Sequence, residues 1–443
     1  MPRSRCEPPV PPKIVIPQTG PLAFMYVLSD FDALGLENEG MRLWQALRRV
    51  RDWHASPPDG FSPRFGDARK AYEDVDPALR PSLAALDRLL RDPNPDAASI
   101  EAAAFACLNA ALWAEERGAY RTALGFLHAA EDVDPDNPHY AYNLGRVARK
   151  MAFYEESEAW LKWAHYVARS YGRWEVATLA LSGLGNLHRQ RGSLPKARRL
   201  HEVARRMARL KGLRTLEGDA LYDLCVISMT AKDEQLAMQY AKQALAAYGS
   251  GHGQVYRLAN DVAWFWMDTY GKFSSAAHVF SVLLDYIWEP PFRVLLLANL
   301  ARAAAGAKLL VAFEGMWTDC WTLLRQQISR QGHAAALVQL ALGAATLGYW
   351  ERTEVAALEA LAVARERKES EAVLAAEAIL KAVEGKVIGD EQLAHTFRDR
   401  TRTDTSQPDD EVVDLTAMFA NAMRARRDNA PESPTHALVN PFD

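Results

Sequence analysis

Ser193 and Lys196 stand in the S-x-x-K spacing of a Ser–Lys hydrolase pair, in which a desolvated Lys takes the Ser proton. That chemistry needs both side chains on one helix and oxyanion donors beside them. Here Ser193 follows Gly192, a turn residue, and Lys196 lies among other cations. The expected reading is a solvated turn whose Ser caps the next helix. Gly249-Ser250-Gly251-His252-Gly253 imitates a phosphate loop, but no strand precedes it and no G-K-[ST] follows. A flexible connection between helices is expected there instead. The chain has no H-E-x-x-H and no C-x-x-C, and its 11 His are scattered, so neither a metal nor a cofactor is expected. Trp264, Phe265 and Trp266, with Trp317 and Trp321, could line a ligand pocket. Core packing is the expected role for most of them, because large rings fill helix-pair cores.

These residues sit in a chain of 443 residues, 49% hydrophobic and 24% charged, with a formal net charge of −4. That length allows several domains or one long array, and the charge gives no global drive toward nucleic acid or anionic membrane. The four Cys (Cys6, Cys107, Cys225 and Cys320) are too widely spaced for a zinc site or a disulfide framework, which fits a reducing, cytoplasmic location. The N-terminus lacks the apolar core of a secretory signal. Arg302, Gly306 and Lys308 interrupt the most membrane-like stretch, Val294 to Phe313, so a helical hairpin is expected there rather than a span.

Composition divides the chain. Residues 1–20 are Pro-rich and are expected to form a disordered leader; their P-x-x-P could serve as an SH3-type ligand. An N-terminal helical region is expected over 21–103, with helices near Leu36–Trp53, 65–76 and 78–92. From about Ala104 a pattern recurs. Leu184-Gly185 fall on one helix, Gly192 on a turn, and Ala197, His201 and Ala204 on one face of the next helix. Leu144-Gly145 with Ser157, Leu161 and Ala164 repeat it upstream, as do Gly118, Tyr120, Ala123, Leu127, Ala130 and Pro135. Leu224, Ala237 and Ala244, then Gly271, Phe273, Ala276 and Phe280, repeat it downstream. Units begin near 104, 138, 178, 218, 257, 292 and 334. After an array over 104–385, the residues 386–443 read as a mostly disordered tail carrying a short amphipathic helix near 411–425. Val412, Leu415, Met418, Phe419 and Ala422 form its stripe, led by Asp409, Asp410 and Glu411. This helix could dock in the protein's own groove or that of another copy, which would give self-association; an untethered tail is the simpler expectation.

The repeated L-G-x-x-[YH], turn Gly and A-x-x-x-[aromatic]-x-x-A resemble the tetratricopeptide repeat, over roughly 104–365. The resemblance implies an all-α fold, a right-handed superhelical solenoid of helical hairpins with an N-terminal helical cap. It also implies a non-enzymatic scaffold or sensor that binds a protein or peptide on its concave face. In that family the second, fifth, ninth and twelfth positions of each first helix line the groove. Here these are His139, Tyr142, Arg146 and Arg149, then Ser182, Asn186 and Arg189, then Asp219 and Tyr222, then Asp261 and Phe265, with Asn143 adjacent. Phe265 is the ring of the aromatic cluster expected to face the groove. Three Arg among these residues suit an acidic segment or a free carboxyl terminus.

Two other readings remain open. One is a regulatory subunit or transcription-linked sensor working with a separate effector. The other is a nucleic-acid-associated protein using 185–214, where ten Arg or Lys face one acidic residue, Glu202. Aromatic residues are sparse in that stretch, which argues against stacking on single strands. No recognition helix for a DNA module is evident.

Overall fold

The computed structural model describes residues 75–92, 95–287, 290–326, 332–367, 369–388, 403–404 and 406–428, with Asp30 and Ala46 as isolated positions. The Pro-rich leader, most of the helix expected at Leu36–Trp53 and the last fifteen residues (429–443) lie outside the described residues. Every regular element among the described residues is helical.

The chain divides into two compact units at Asp223 and Leu224. The first holds α1 (Arg80–Arg91), α2 (Ala97–Glu116), α3 (Tyr120–Val133), α4 (Pro138–Lys150), α5 (Tyr154–Ser170), α6 (Trp174–Gln190) and α7 (Leu194–Leu210). The helix α8 (Arg214–Thr230) crosses the division. The second unit continues with α9 (Glu234–Tyr248), α10 (Val255–Phe265), α11 (Phe273–Leu284), α12 (Pro290–Gly306), α13 (Leu310–Gln326), α14 (His333–Thr346), α15 (Trp350–Arg367), α16 (Ser370–Ile388) and α17 (Asp410–Asp428). Within each unit successive helices pack as hairpins: α2 on α3, α4 on α5 and α6 on α7, then α10 on α11, α12 on α13 and α14 on α15. The membrane-like stretch Val294 to Phe313 is the α12–α13 hairpin. Among the described residues one helix, α2, is long and apolar enough to cross a membrane by length and composition. It packs instead between α1 and α3, burying Ala104, Cys107, Ala110, Ala111 and Ala114.

The repeat residues do the packing. Ala197, His201 and Ala204 are fully buried on α7. A methyl group at Gly185 would collide with the His201 ring, so the missing side chain is what lets α7 approach α6. In the preceding pair Gly145 meets Leu161 in the same way. Ser157, where the pattern has Ala, donates its hydroxyl to the Gly145 carbonyl at 2.7 Å, so the buried oxygen is satisfied. Gly192 ends α6 with φ +75°, and Ser193 N–H returns to the His188 carbonyl at 2.8 Å. Ala152, Lys232 and Lys308 take the same left-handed conformation at the equivalent turns without being glycine. The 40-residue step from Trp174 to Arg214 comes from two 17-residue helices, α6 and α7; the pair that begins with the 13-residue α4 advances only 36 residues, from Pro138 to Trp174.

Outside the repeats, Asp30 caps α3. Its carboxylate accepts from the Thr122 backbone N–H at 2.7 Å and from the Thr122 hydroxyl at 2.9 Å. The C-terminal amphipathic stretch forms α17, and it is packed rather than trailing. Val412, Leu415, Phe419, Ala422 and Met423 are buried against α9, α10 and α11. Asp409 caps α17 by accepting from Val412 N–H at 2.9 Å, and Lys242 pairs with Glu411 at 2.7 Å. The glycine-rich 249–253 segment is correspondingly more than a loose connection. Gly251 N–H donates to the Ala422 carbonyl at 2.8 Å, and His252 stacks on Tyr248.

Candidate functional site

The first helices of the pairs in unit 1, α4 and α6, with the unit 1 part of α8, carry the residues expected to line a groove. Tyr142, Asn143, Arg146, Ser182, Asn186, Arg189, Asp219 and Tyr222 are half-buried, and His139 is exposed. Hydrogen bonds hold them mostly within each helix, and one contact runs from α6 to α8. Asn186 Nδ2 lies 3.5 Å from Asp223 Oδ2, and Arg189 Nε lies 3.4 Å from Asn186 Oδ1. Asn143 Nδ2 donates to the His139 carbonyl, and Asn143 Oδ1 accepts from Arg146.

The expected trio of cations does not act as one group. Arg146 donates both terminal nitrogens to the two oxygens of Glu115, each at 2.6 Å, and Lys150 reaches the same carboxylate at 3.0 Å. Glu115 is only 5% exposed. Burying a carboxylate there requires close opposite charge, and the two α4 cations supply it. Arg149 is itself buried, at 9% exposure. Its position in the repeat predicts the groove, but α4 is only 13 residues long and this residue falls in its packed last turn. Of the three, Arg189 is the one half-buried guanidinium without a carboxylate hydrogen bond among the described residues.

Glu115 and Asp223 are neighbours of the expected site residues that the sequence reading missed. Glu115 occupies the twelfth position of the unit beginning at 104, so the same pattern applied one unit earlier would have found it. Asp223 directly follows Tyr222 and also approaches buried His201, with Nδ1 to Oδ2 at 3.2 Å. Burial holds the His201 imidazole below its ordinary pKa, Arg189 lowers it further, and Asp223 opposes both.

In unit 2, Asp261 is half-buried on α10. Phe265 does not face a groove: it is 3% exposed and packs edge-to-face on Tyr270, with centroids 5.2 Å apart. After Phe265 the helix widens into a π-helical segment, Trp266–Tyr270. Trp264 is the exposed ring of the cluster, and Trp266 is buried. The π segment places Asp268 against Arg302, whose Nη2 donates to it at 2.9 Å while Nη1 donates to Gln339 at 2.8 Å. Arg302 is 2% exposed and belongs to the core.

The catalytic alternatives gain no geometry. Ser193 occupies the N-cap position of α7 but makes no side-chain capping bond, and Lys196 is exposed. Cys107 and Cys320 are buried thiols pushed up to about 12, and burial also raises Cys225. Among the described residues no three His, Cys, Asp or Glu are grouped to hold a metal ion.

A second charged surface lies on the outside of unit 1. On α7 the residues Lys196, Arg198, Arg199, Arg206 and Arg209 are exposed, opposite the buried Ala197, His201, Ala204 and Ala208.

No family profile matches the chain, and no curated protein sequence does. Among solved structures the chain is similar to a tetratricopeptide repeat protein from Parabacteroides merdae ATCC 43184, at 14% identity, covering 62% of this chain and 98% of that one, with a TM-score of 0.39. That likeness transfers no ligand or partner. By its own helix pairs and their packing residues, the chain is an all-α repeat protein resembling a tetratricopeptide solenoid.

Proposed function

We propose that the chain is a non-enzymatic scaffold or sensor that binds a protein or peptide along the first-helix face of unit 1. Arrays of this kind generally act as protein-binding scaffolds and are typically non-catalytic. The observation that carries the reading is the half-buried ladder across α4, α6 and α8, from Tyr142 and Asn143 through Asn186 and Arg189 to Tyr222. Half-buried amides and rings fixed by their neighbours are pre-organised hydrogen-bonding groups, which lowers the entropic cost of binding an extended segment. The preferred segment carries a carboxylate beside Arg189, because Arg146 and Lys150 are already committed to Glu115.

The test is a binding series with extended acidic peptides and charge-neutral peptides of the same length. Arg189→Glu should weaken the acidic peptides about tenfold, or 1.4 kcal/mol, and leave the neutral ones unchanged. Equal affinity for wild type and variant would move the interface away from this ladder.

A further inference from the structure

Six of the 17 residues of α7 are cationic: Lys196, Arg198, Arg199, Arg205, Arg206 and Arg209. The helix has one acidic residue, Glu202, which pairs with Arg205 at 3.0 Å, and none in its first turn. Among the described residues, Lys196, Arg198, Arg199 and Arg209 have no carboxylate partner. The arrangement opposes helix stability. Lys196 and Arg198 stand near the positive end of the helix dipole. Arg205 with Arg209, and Arg206 with Arg209, are like-charge pairs one turn apart. A bound polyanion would relieve both costs.

The face is also wrong for a protein partner. Arg is common in protein interfaces, but there it sits around a buried core of apolar and aromatic groups. On α7 the only large apolar residue that is exposed is Leu210, at the end of the helix. Nor does it suit single strands, which need open aromatic faces. The only aromatic ring on α7 is the buried His201, and Lys211 covers the face of nearby Trp174 at 3.7 Å. What remains is a row of guanidinium groups about 20 Å long at 1.5 Å per residue. The basic field narrows toward α5, whose first half carries Glu155, Glu156 and Glu158, the last of these 3.5 Å from Arg191.

We propose that the outward face of α7 binds the sugar-phosphate backbone of a nucleic acid duplex, through shape and charge rather than base sequence. A footprint of one helix allows about four phosphate contacts, so affinity should fall by about a hundredfold between 50 and 200 mM salt.

Fluorescence anisotropy of the full chain tests this with labelled DNA and RNA duplexes of arbitrary sequence. A single strand, a poly-Glu peptide and anionic phosphatidylserine vesicles serve as competitors. Either duplex should bind at low salt with that steep dependence. Combined Arg198→Glu, Arg199→Glu, Arg206→Glu and Arg209→Glu should weaken it by at least about thirtyfold, and Arg189→Glu should not. The corresponding Gln variants decide the matter if the Glu variants lose helicity. The proposal is overturned if neither duplex binds at 50 mM salt, if the fourfold variants bind as well as wild type, or if any of the three competitors displaces the duplex as efficiently as unlabelled duplex does.

Discussion

The cations of α4 and those of α7 have the same chemistry and opposite situations. On α4, Arg146 and Lys150 converge on the buried Glu115, and Arg149 is itself buried. On α7, four cations reach water with no carboxylate partner among the described residues. Both helices are amphipathic, and charge density in the sequence does not separate them. What separates them is whether a carboxylate lies buried one helix pair away. A guanidinium facing one becomes part of the core's electrostatics; a guanidinium facing solvent stays available to a partner. Arg302 in unit 2 follows the α4 pattern, held by Asp268 and Gln339.

The sharpest way to break this comparison is to reverse the core cations. Arg146→Glu would set two carboxylates together with Glu115 nearly out of water, leaving only Lys150 to compensate. Removing one partner of a buried pair costs about 3–5 kcal/mol. Arg146→Glu, and Arg302→Glu in unit 2, should each lower the unfolding free energy by roughly that amount in urea titrations. A loss below about 1 kcal/mol would mean that the α4 cations behave like surface charges and that the contrast with α7 is false.

Next in size is the contact that fixes which side of α7 faces outward. Gly185 receives the His201 ring, and this close approach sets the register of α7 on α6. Gly185→Ala should overpack it and cost about 1–3 kcal/mol, read as a lower melting temperature. An unchanged melting temperature would show that α7 can rotate or shift, and its basic face with it.

The pattern of small residues made the helix pairs legible, because Gly and Ala are required wherever helices touch. Ala197, Ala204 and Gly185 could be placed from spacing alone. The residues expected to line a groove were only half legible. Spacing puts Asn186 and Arg189 together on a half-buried face of α6, but it cannot say that Glu115 neutralises Arg146, since that depends on a neighbour 31 residues away. Phe265 failed because spacing does not choose between adjacent rings: at the end of α10, Trp264 takes the exposed position and Phe265 the buried one. The docking of α17 was visible as a stripe but not as a contact, because an amphipathic stripe does not name its partner.

A smaller effect sharpens the comparison through pH. His201 lies beneath the cationic face, enclosed by Gly185 of α6, with Asp223 of α8 and Arg189 of α6 nearby. Its folded pKa is below the unfolded value of about 6.5. The unfolded chain therefore binds the proton more readily, and the stability contribution is complete above that pH and lost as pH falls below it. Glu131 works the other way, because burial, and then Asp132, push it up to about 7. The difference between the pH profiles of wild type and His201→Gln removes the Glu131 contribution. That difference should favour wild type increasingly as pH rises through 5 to 7, and a flat difference would mean that the Asp223 contact offsets burial.

The smallest expected effect is the counterpart of the largest. Arg199→Ala and Arg209→Ala remove exposed cations that hold nothing in the fold. Each should change stability by less than about 0.5 kcal/mol, and Arg209→Ala could be slightly stabilising because it removes two like-charge neighbours, Arg205 and Arg206. The sign can be checked by salt: screening should raise the wild-type melting temperature more than that of the Arg209→Ala variant, since only wild type has that repulsion to screen. A loss above about 1.5 kcal/mol at either position would place these cations in an ion pair of the folded state. They would then belong with Arg146, and the α7 face would have no charge to spare for a phosphate backbone.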